Sequence, residues 1–302
     1  MDAVNTKSLD IFFKDNRLHF NLMEPMFKDK KLDGSFVLIN NLTSEKNGQV
    51  DVFLKTNSKL DKDILDILKA YNITLPIIQK NGNTQASLLM KFPYDTTKNM
   101  STYGEFFLND AKVAINNFEF ESKNAEVILD DSIIKIKNSD FKYKDMINAT
   151  LNLNLDIKTL KSYGDANIKS FLIKEENKES LVEIKDKNTA IDLNFNNEVS
   201  ILLKDLGTNI KISDLIYVNI DDLSKIYPYS KLLKDNSIKE GNIALQIKDE
   251  KNINFEAFIK GLNLPLQKND TNIDSLEING KIEDGKTKIS SKDEDIKIEI
   301  DD

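Results

Sequence analysis

Catalytic chemistry has few places to start in this chain. The single histidine, His19, lies in Arg17-Leu18-His19-Phe20-Asn21-Leu22, out of phase with Leu18, Phe20 and Leu22. That spacing predicts a strand with the imidazole on its wet face. A hydrolytic triad or a zinc site needs further His or Cys ligands, and the chain has no Cys. Two adjacent carboxylate pairs, Asp130-Asp131 and Asp221-Asp222, are the candidates for acid–base or glycosidic work. Adjacent acids read more simply as turn and helix-start residues. Asp270-Thr271-Asn272-Ile273-Asp274 lacks the glycine and the closing glutamate of a calcium loop. No phosphate-cradling glycine loop is present. The expectation is a protein that is not an enzyme, with no catalytic residue, no metal site and no cofactor.

The elements that would hold such residues are strands. In Asn148-Ala149-Thr150-Leu151-Asn152-Leu153-Asn154-Leu155-Asp156-Ile157 the odd positions are apolar and the even ones polar. That is the period of a strand with one dry face. Residues 9–13, 17–22, 35–40 and 50–55 read as a first strand block, with Asn47-Gly48 as a hairpin signal. From Gly82 onward the same pattern predicts strands at 84–92, 101–108, 112–115, 119–121, 125–129, 133–137 and 141–144. It continues at 147–157, 167–173, 181–185, 190–195, 199–203, 209–212 and 215–220, then 242–248, 252–260, 275–282 and 286–290. Asp284-Gly285 marks another hairpin, and Asp295-Ile296-Lys297-Ile298-Glu299-Ile300 still alternates.

Two stretches break the period. Leu60, Ile64, Ile67, Leu68 and Tyr71 follow helical spacing behind Ser58, which reads as the cap. Leu223, Ile226 and Tyr227 do the same behind Asp221-Asp222, with Pro228 expected to kink or split the helix. The chain thus reads as one repeat array over 1–302, in blocks 1–57, 58–74, 75–220, 221–235 and 236–302. Because the last strand is still alternating, the expectation is a segment of a longer polypeptide.

Composition narrows the function classes. The 302 residues are 40% hydrophobic and carry 50 acidic against 42 basic side chains, a net charge of -8. An acidic balance argues against nucleic acid as a partner. No window approaches the roughly 18 apolar residues of a membrane span, and Met1-Asp2-Ala3-Val4-Asn5 has no signal-peptide character.

Short strands joined by tight turns pair best as an antiparallel meander. About twenty strands exceed the ~10 an open sheet tolerates without curling or splitting. At ~4.8 Å per strand they would extend roughly 90 Å. The fold class expected is mostly β, an elongated, curled antiparallel sheet with two short amphipathic helices. Two short helices cannot roof a dry face of that length. Curvature, a second sheet or a ligand must cover it. An acyl chain is a suitable ligand, because each buried CH2 is worth ~0.8 kcal/mol, on the order of 12 kcal/mol for sixteen carbons before entropic costs.

Leu75-Pro76, Gly104-Glu105-Phe106-Phe107-Leu108-Asn109-Asp110-Ala111-Lys112-Val113 and Ile133-Ile134-Lys135-Ile136-Lys137-Asn138 resemble the strand repeats of AsmA-like bacterial envelope proteins of the YhdP type. Asp214-Leu215 through Leu232-Leu233, followed by Gly241-Asn242-Ile243-Ala244-Leu245, is similar to the helix-then-strand junction of that family. The resemblance covers about residues 70 to 300 and rests on pattern and punctuation. It implies a repeating β-groove that carries phospholipid across the periplasm, held in the inner membrane by an anchor or partner lying outside this segment. Phospholipid acyl chains are then the partner. The groove lining expected is Leu151, Leu153, Leu155, Ile243, Leu245, Ile247, Ile253, Phe255, Ile296, Ile298 and Ile300, with Ile64, Ile67, Leu68 and Tyr71 as cap or gate. The alternative is a structural or adhesive all-β repeat protein in which the same side chains form a closed core.

Overall fold

A computed structural model describes residues 4–44, 46–70, 77–115, 118–174, 180–196, 198–249, 251–266, 269–283, 286–292 and 297–301. Among them, 19 strands hydrogen-bond into one antiparallel sheet, and a two-stranded hairpin stands apart. The chain divides into two compact units, one of Met1–Tyr143 with Thr150–Thr159 and one of Lys144–Ala149 with Leu160–Asp302.

The first unit holds β1 (Ser8–Lys14), β2 (Arg17–Met23), the hairpin β3 (Met26–Phe27) and β4 (Lys30–Lys31), β5 (Phe36–Asn40) and β6 (Gln49–Ser58). Helix α1 (Lys62–Ala70) follows, then β7 (Ile77–Pro93), β8 (Ser101–Ile115), β9 (Phe118–Asp130) and β10 (Ile133–Tyr143). Strand β11 (Ile147–Asp156) belongs to the second unit up to Ala149 and to the first from Thr150. Apart from β2 with β5, which skips the β3–β4 hairpin, pairing in β1–β10 joins consecutive strands and is antiparallel. Asp15 and Asn16, both at positive φ, make the two-residue turn between β1 and β2, the geometry that matches strand twist.

The second unit adds β12 (Lys161–Lys174), β13 (Ser180–Asn194), β14 (Val199–Leu203), β15 (Thr208–Ile212) and β16 (Ile216–Ile220). Two helical turns, α2 (Leu223–Ile226) and α3 (Lys231–Asp235), flank a 3-10 turn at Tyr227–Tyr229. Then come β17 (Glu240–Asp249), β18 (Asn252–Leu266), β19 (Asn269–Glu283), β20 (Lys286–Ser291) and β21 (Lys297–Asp301). Each of β12–β21 pairs antiparallel with the next.

The strands are longer than the alternation predicts, and the reason is specific. Residues 101–108 and 112–115 form one strand, as do 119–121 with 125–129, 133–137 with 141–144, and 181–185 with 190–195. In β8, Thr102, Phe106 and Leu108 are buried on even numbers, then Ala111 and Val113 on odd ones. Asn109 and Asp110 between them are both exposed, and Asp110 has φ 44°. Pairing to β9 runs on either side, Asn109 with Asn124 and Ala111 with Ser122. A left-handed residue inside a ladder bends the strand and switches which parity faces inward. Both halves of β8 therefore present apolar side chains to the same side. The device recurs at Gly82 in β7 (φ 85°), Asn138 in β10 (φ 43°) and Asp186 in β13 (φ 49°).

Two local expectations are corrected. The cap of α1 is Asp61, whose Oδ1 accepts from the Asp63 N–H at 3.1 Å and the Ile64 N–H at 3.3 Å. Ser58 is the last residue of β6, paired with Thr84, too early to reach the first helical N–H groups. Asn47-Gly48 is not a two-residue hairpin, since the loop runs from Asn41 to Gly48 between paired Asn40 and Gln49. Gly48 is needed there because a Cβ would lie 2.1 Å from the Tyr94 ring. Pro228 does split the second helical stretch, with the Asp222 carboxylate accepting from Ser224 N–H to cap α2. The Asp284-Gly285 hairpin lies outside the described residues.

Candidate functional site

Residues directly opposite each other in a ladder share a face of the sheet. In the second unit the registers therefore compose rows of side chains that run across the strands. One row reads Leu193, Ile201, Ile210, Val218, Leu245, Phe255, Gly280, Ile289 and Ile298, one position from each of β13–β21. Next to it runs Val199, Ile212, Ile216, Ile247, Ile253 and Ile282. On the other side lies Ile191, Leu203, Thr208, Ile220, Ile243, Ala257 and Ile278. Nine strands at ~4.8 Å give the first row a contour of roughly 38 Å.

The helical turns cover part of this face. Leu223 of α2 and Ile238 pack on Ala257 and Ile259, with Ile220, Ile243, Leu276 and Ile278 around them. Ile226 of α2 packs on Leu206, Ile168 and Ile184. The cover sits on the third row. In the first two, Ile201, Ile210, Ile212, Ile216, Val218, Leu245, Ile247, Ile253 and Phe255 are all only partly buried. At the β13–β14 end of these rows Leu193 and Val199 are buried, and in the third row Ile191, Thr208 and Ala257 are buried while Leu203, Ile220, Ile243 and Ile278 are partly so. We call the two uncovered rows the apolar lane.

The first unit grades differently. Its row Ile11, Phe20, Val37, Val52, Met90 goes from 54% exposed at Ile11 to 0% at Met90. Leu88, Gly104, Leu129 and Ile134 form a fully buried stretch across β7–β10. Helix α1 is held by Lys30, whose ammonium contacts Asp61 at 2.8 Å and Asp29 at 3.1 Å, and by Lys28 to Asp63. The Asp61 hydrogen bond raises the Lys30 pKa above its usual value, with burial opposing. On the strand side, Gln79 Oε1 accepts from the Leu60 N–H at 2.9 Å and from the Thr84 hydroxyl at 2.6 Å.

Of the expected lining, Ile243, Leu245, Ile247, Ile253 and Phe255 come together in the second unit, Leu245 opposite Phe255 and Ile247 opposite Ile253. Ile298 ends the first row at 45% exposure. Ile300 pairs with Thr287; Ile296 lies outside the described residues. Leu151 is partly buried, while Leu153 and Leu155 are buried. In the expected cap, Ile64 and Leu68 are buried and Ile67 partly so; Tyr71 lies outside the described residues. Ile201, Ile210, Ile212, Ile216, Val218 and Gly280 belong to the lane and were not singled out by sequence. Their alternation is visible, but register alone places them beside Leu245.

The polar candidates that are described make local contacts. His19 stacks on Phe12 across β1 and β2, ring centroids 4.6 Å apart and nearly parallel, on the face opposite Leu18 and Phe20. It is partly buried under that ring rather than simply solvent-facing. Asp131 accepts the Thr102 N–H at 2.7 Å and donates its own N–H to the Thr102 carbonyl. Asp130 pairs with Lys135 at 3.0 Å. Asp222 caps α2, and the Asp221 N–H donates to the Gly207 carbonyl. Asp270-Thr271-Asn272-Ile273-Asp274 lies within β19 rather than in a loop. Among the described residues no cluster of His, Cys, Asp and Glu is arranged to hold a metal ion, and no helix is long and apolar enough to cross a membrane.

A family model described as YhdP protein matches residues 1–213. Neither the curated proteins nor the solved structures contain a match.

Proposed function

The chain belongs to the YhdP family of AsmA-like envelope proteins, a generally non-enzymatic family, and from that premise we propose that it is a lipid-binding segment. Phospholipid acyl chains lie along the apolar lane, and the segment carries them between the inner and outer membranes. It works in the periplasm, joined to the inner membrane by an anchor or partner outside the segment.

One observation carries this reading: two adjacent rows of aliphatic side chains, partly buried from β15 to β18, lie on the sheet beside the row on which α2 and α3 pack. A single leaflet's acyl layer is about half of the ~30 Å hydrocarbon core. The lane is longer than one chain, as a conduit must be. Rows of Ile, Leu and Val recognise only apolar volume, which suits chains of varied structure.

The first unit favours a second reading. Met90 at 0% and Leu129 at 1% exposure are buried by protein alone, as in the closed core of a structural or adhesive repeat. Lipid extraction from the purified full chain separates the two. Phospholipid phosphorus should accompany the chain and be lost in Leu245→Asp at unchanged secondary structure. A chain that carries no lipid, or a Leu245→Asp variant that unfolds, favours the closed core.

A further inference from the structure

The floor of the lane contains one position without a side chain. Gly280 sits between Phe255 and Ile289 in the long row. A Cβ there would lie 2.0 Å from Cζ and 2.2 Å from Cε1 of Phe255. The far end of the Phe255 ring therefore fills the volume over Gly280 that any other residue's Cβ would occupy. The first unit has a looser contact of this kind, made by a ring two residues along the same strand. A Cβ on Gly104 would lie 2.9 Å from the Phe106 ring and 3.1 Å from Leu88. Glycine in a strand interior costs stability; an aromatic ring folded onto it recovers part of that cost by packing.

We propose that Gly280 sets the depth of the lane, keeping it open to a linear acyl chain by giving the Phe255 ring room over the sheet. The inference rests on the lipid reading above. With a side chain at position 280 the ring must move, and it is the far end of a flexible side chain. The sheet lies below it, Leu245 and Ile289 stand beside it in the row, and the open direction is the lane itself. An aromatic ring standing in the lane obstructs it where the two rows run side by side. A bulky residue at 280 thus acts on binding through Phe255, not through the backbone, since no positive φ is required at Gly280.

The test is binding of NBD-labelled phosphatidylethanolamine, delivered from phosphatidylethanolamine–phosphatidylglycerol vesicles, to the full chain and its variants. Gly280→Val should bind about tenfold more weakly, the equivalent of roughly two buried methylenes. Combining it with Phe255→Leu should restore binding to the level of Phe255→Leu alone. Because removing the ring relieves the clash as well as the obstruction, thermal midpoints are read beside binding, and the binding lost by Gly280→Val should exceed what its unfolded fraction accounts for. Wild-type affinity in Gly280→Val overturns the proposal, as does a double variant no better than the single. Should Gly280→Val not fold, the double variant against Phe255→Leu decides: equal affinity supports the proposal and weaker binding overturns it. An unaltered chain that takes up no probe instead removes the lipid reading itself.

Discussion

Gly82 of β7 and Asp110 of β8 meet backbone to backbone, so close that a Cβ on Gly82 would lie 2.4 Å from the Asp110 carbonyl oxygen. Both are left-handed, at φ 85° and 44°. At this contact the two strands bend together. Gly82→Val adds strain and a clash with unyielding backbone, and should cost about 1–3 kcal/mol. Gly34, also at φ 85°, has only the Lys55 side chain near a Cβ, at 3.6 Å. Gly34→Val should cost less, and urea unfolding of the two variants measures what the crowding adds.

Helix α1 should depend on Asp61 rather than Ser58. Asp61→Ala removes the cap and one of the two carboxylates on Lys30 together, a loss of about 0.5–2 kcal/mol for the cap alone. Ser58→Ala should cost less. Denaturant midpoints of the two single variants make the comparison.

Acid should weaken the second unit through its turn carboxylates. Hydrogen bonds from Ser224, hydroxyl and N–H, hold Asp222 below the usual carboxylate range, and the Ala190 N–H does the same for Asp205. Depressed folded-state values stabilise above the unfolded pKa of about 3.9, and that stability is lost as pH falls through the folded values. The thermal midpoint should drop below about pH 4, and Asp222→Asn with Asp205→Asn should flatten that drop. Both groups are exposed, so added salt should shrink the effect.

Covered and uncovered aliphatic residues should respond differently to truncation. Leu206→Ala, under α2 and 2% exposed, should cost about 2–5 kcal/mol. Val218→Ala, in the open lane, should cost about 1 kcal/mol or less, because little packing is lost where solvent already reaches. Chemical unfolding gives both values.

The antiparallel β architecture is legible in the sequence because a two-residue period survives wherever one face stays dry. The limits of the strands are less so. At Leu108 and Ala111 the inward parity changes, and a parity change looks the same whether the chain turns back or bends and continues. Only the hydrogen bonds beyond Asp110 distinguish the two. Local capping is likewise ambiguous between Ser58 and Asp61, three residues apart, until the helix start is fixed at Lys62. Leu245 and Phe255 are legible as alternating apolar residues. That Phe255 rests on Gly280 is not, since it follows from the register of β18 on β19. Nor does alternation tell Leu153, buried by protein, from Leu245, partly open.

The most direct test places a photo-crosslinking benzoyl group at position 245, inside the lane, and in a separate variant at 246, on the opposite face of β17. Ultraviolet irradiation in the presence of membranes, followed by mass spectrometry, should yield a phospholipid adduct at 245 and none at 246. Adducts at neither position, or equally at both, would contradict the account.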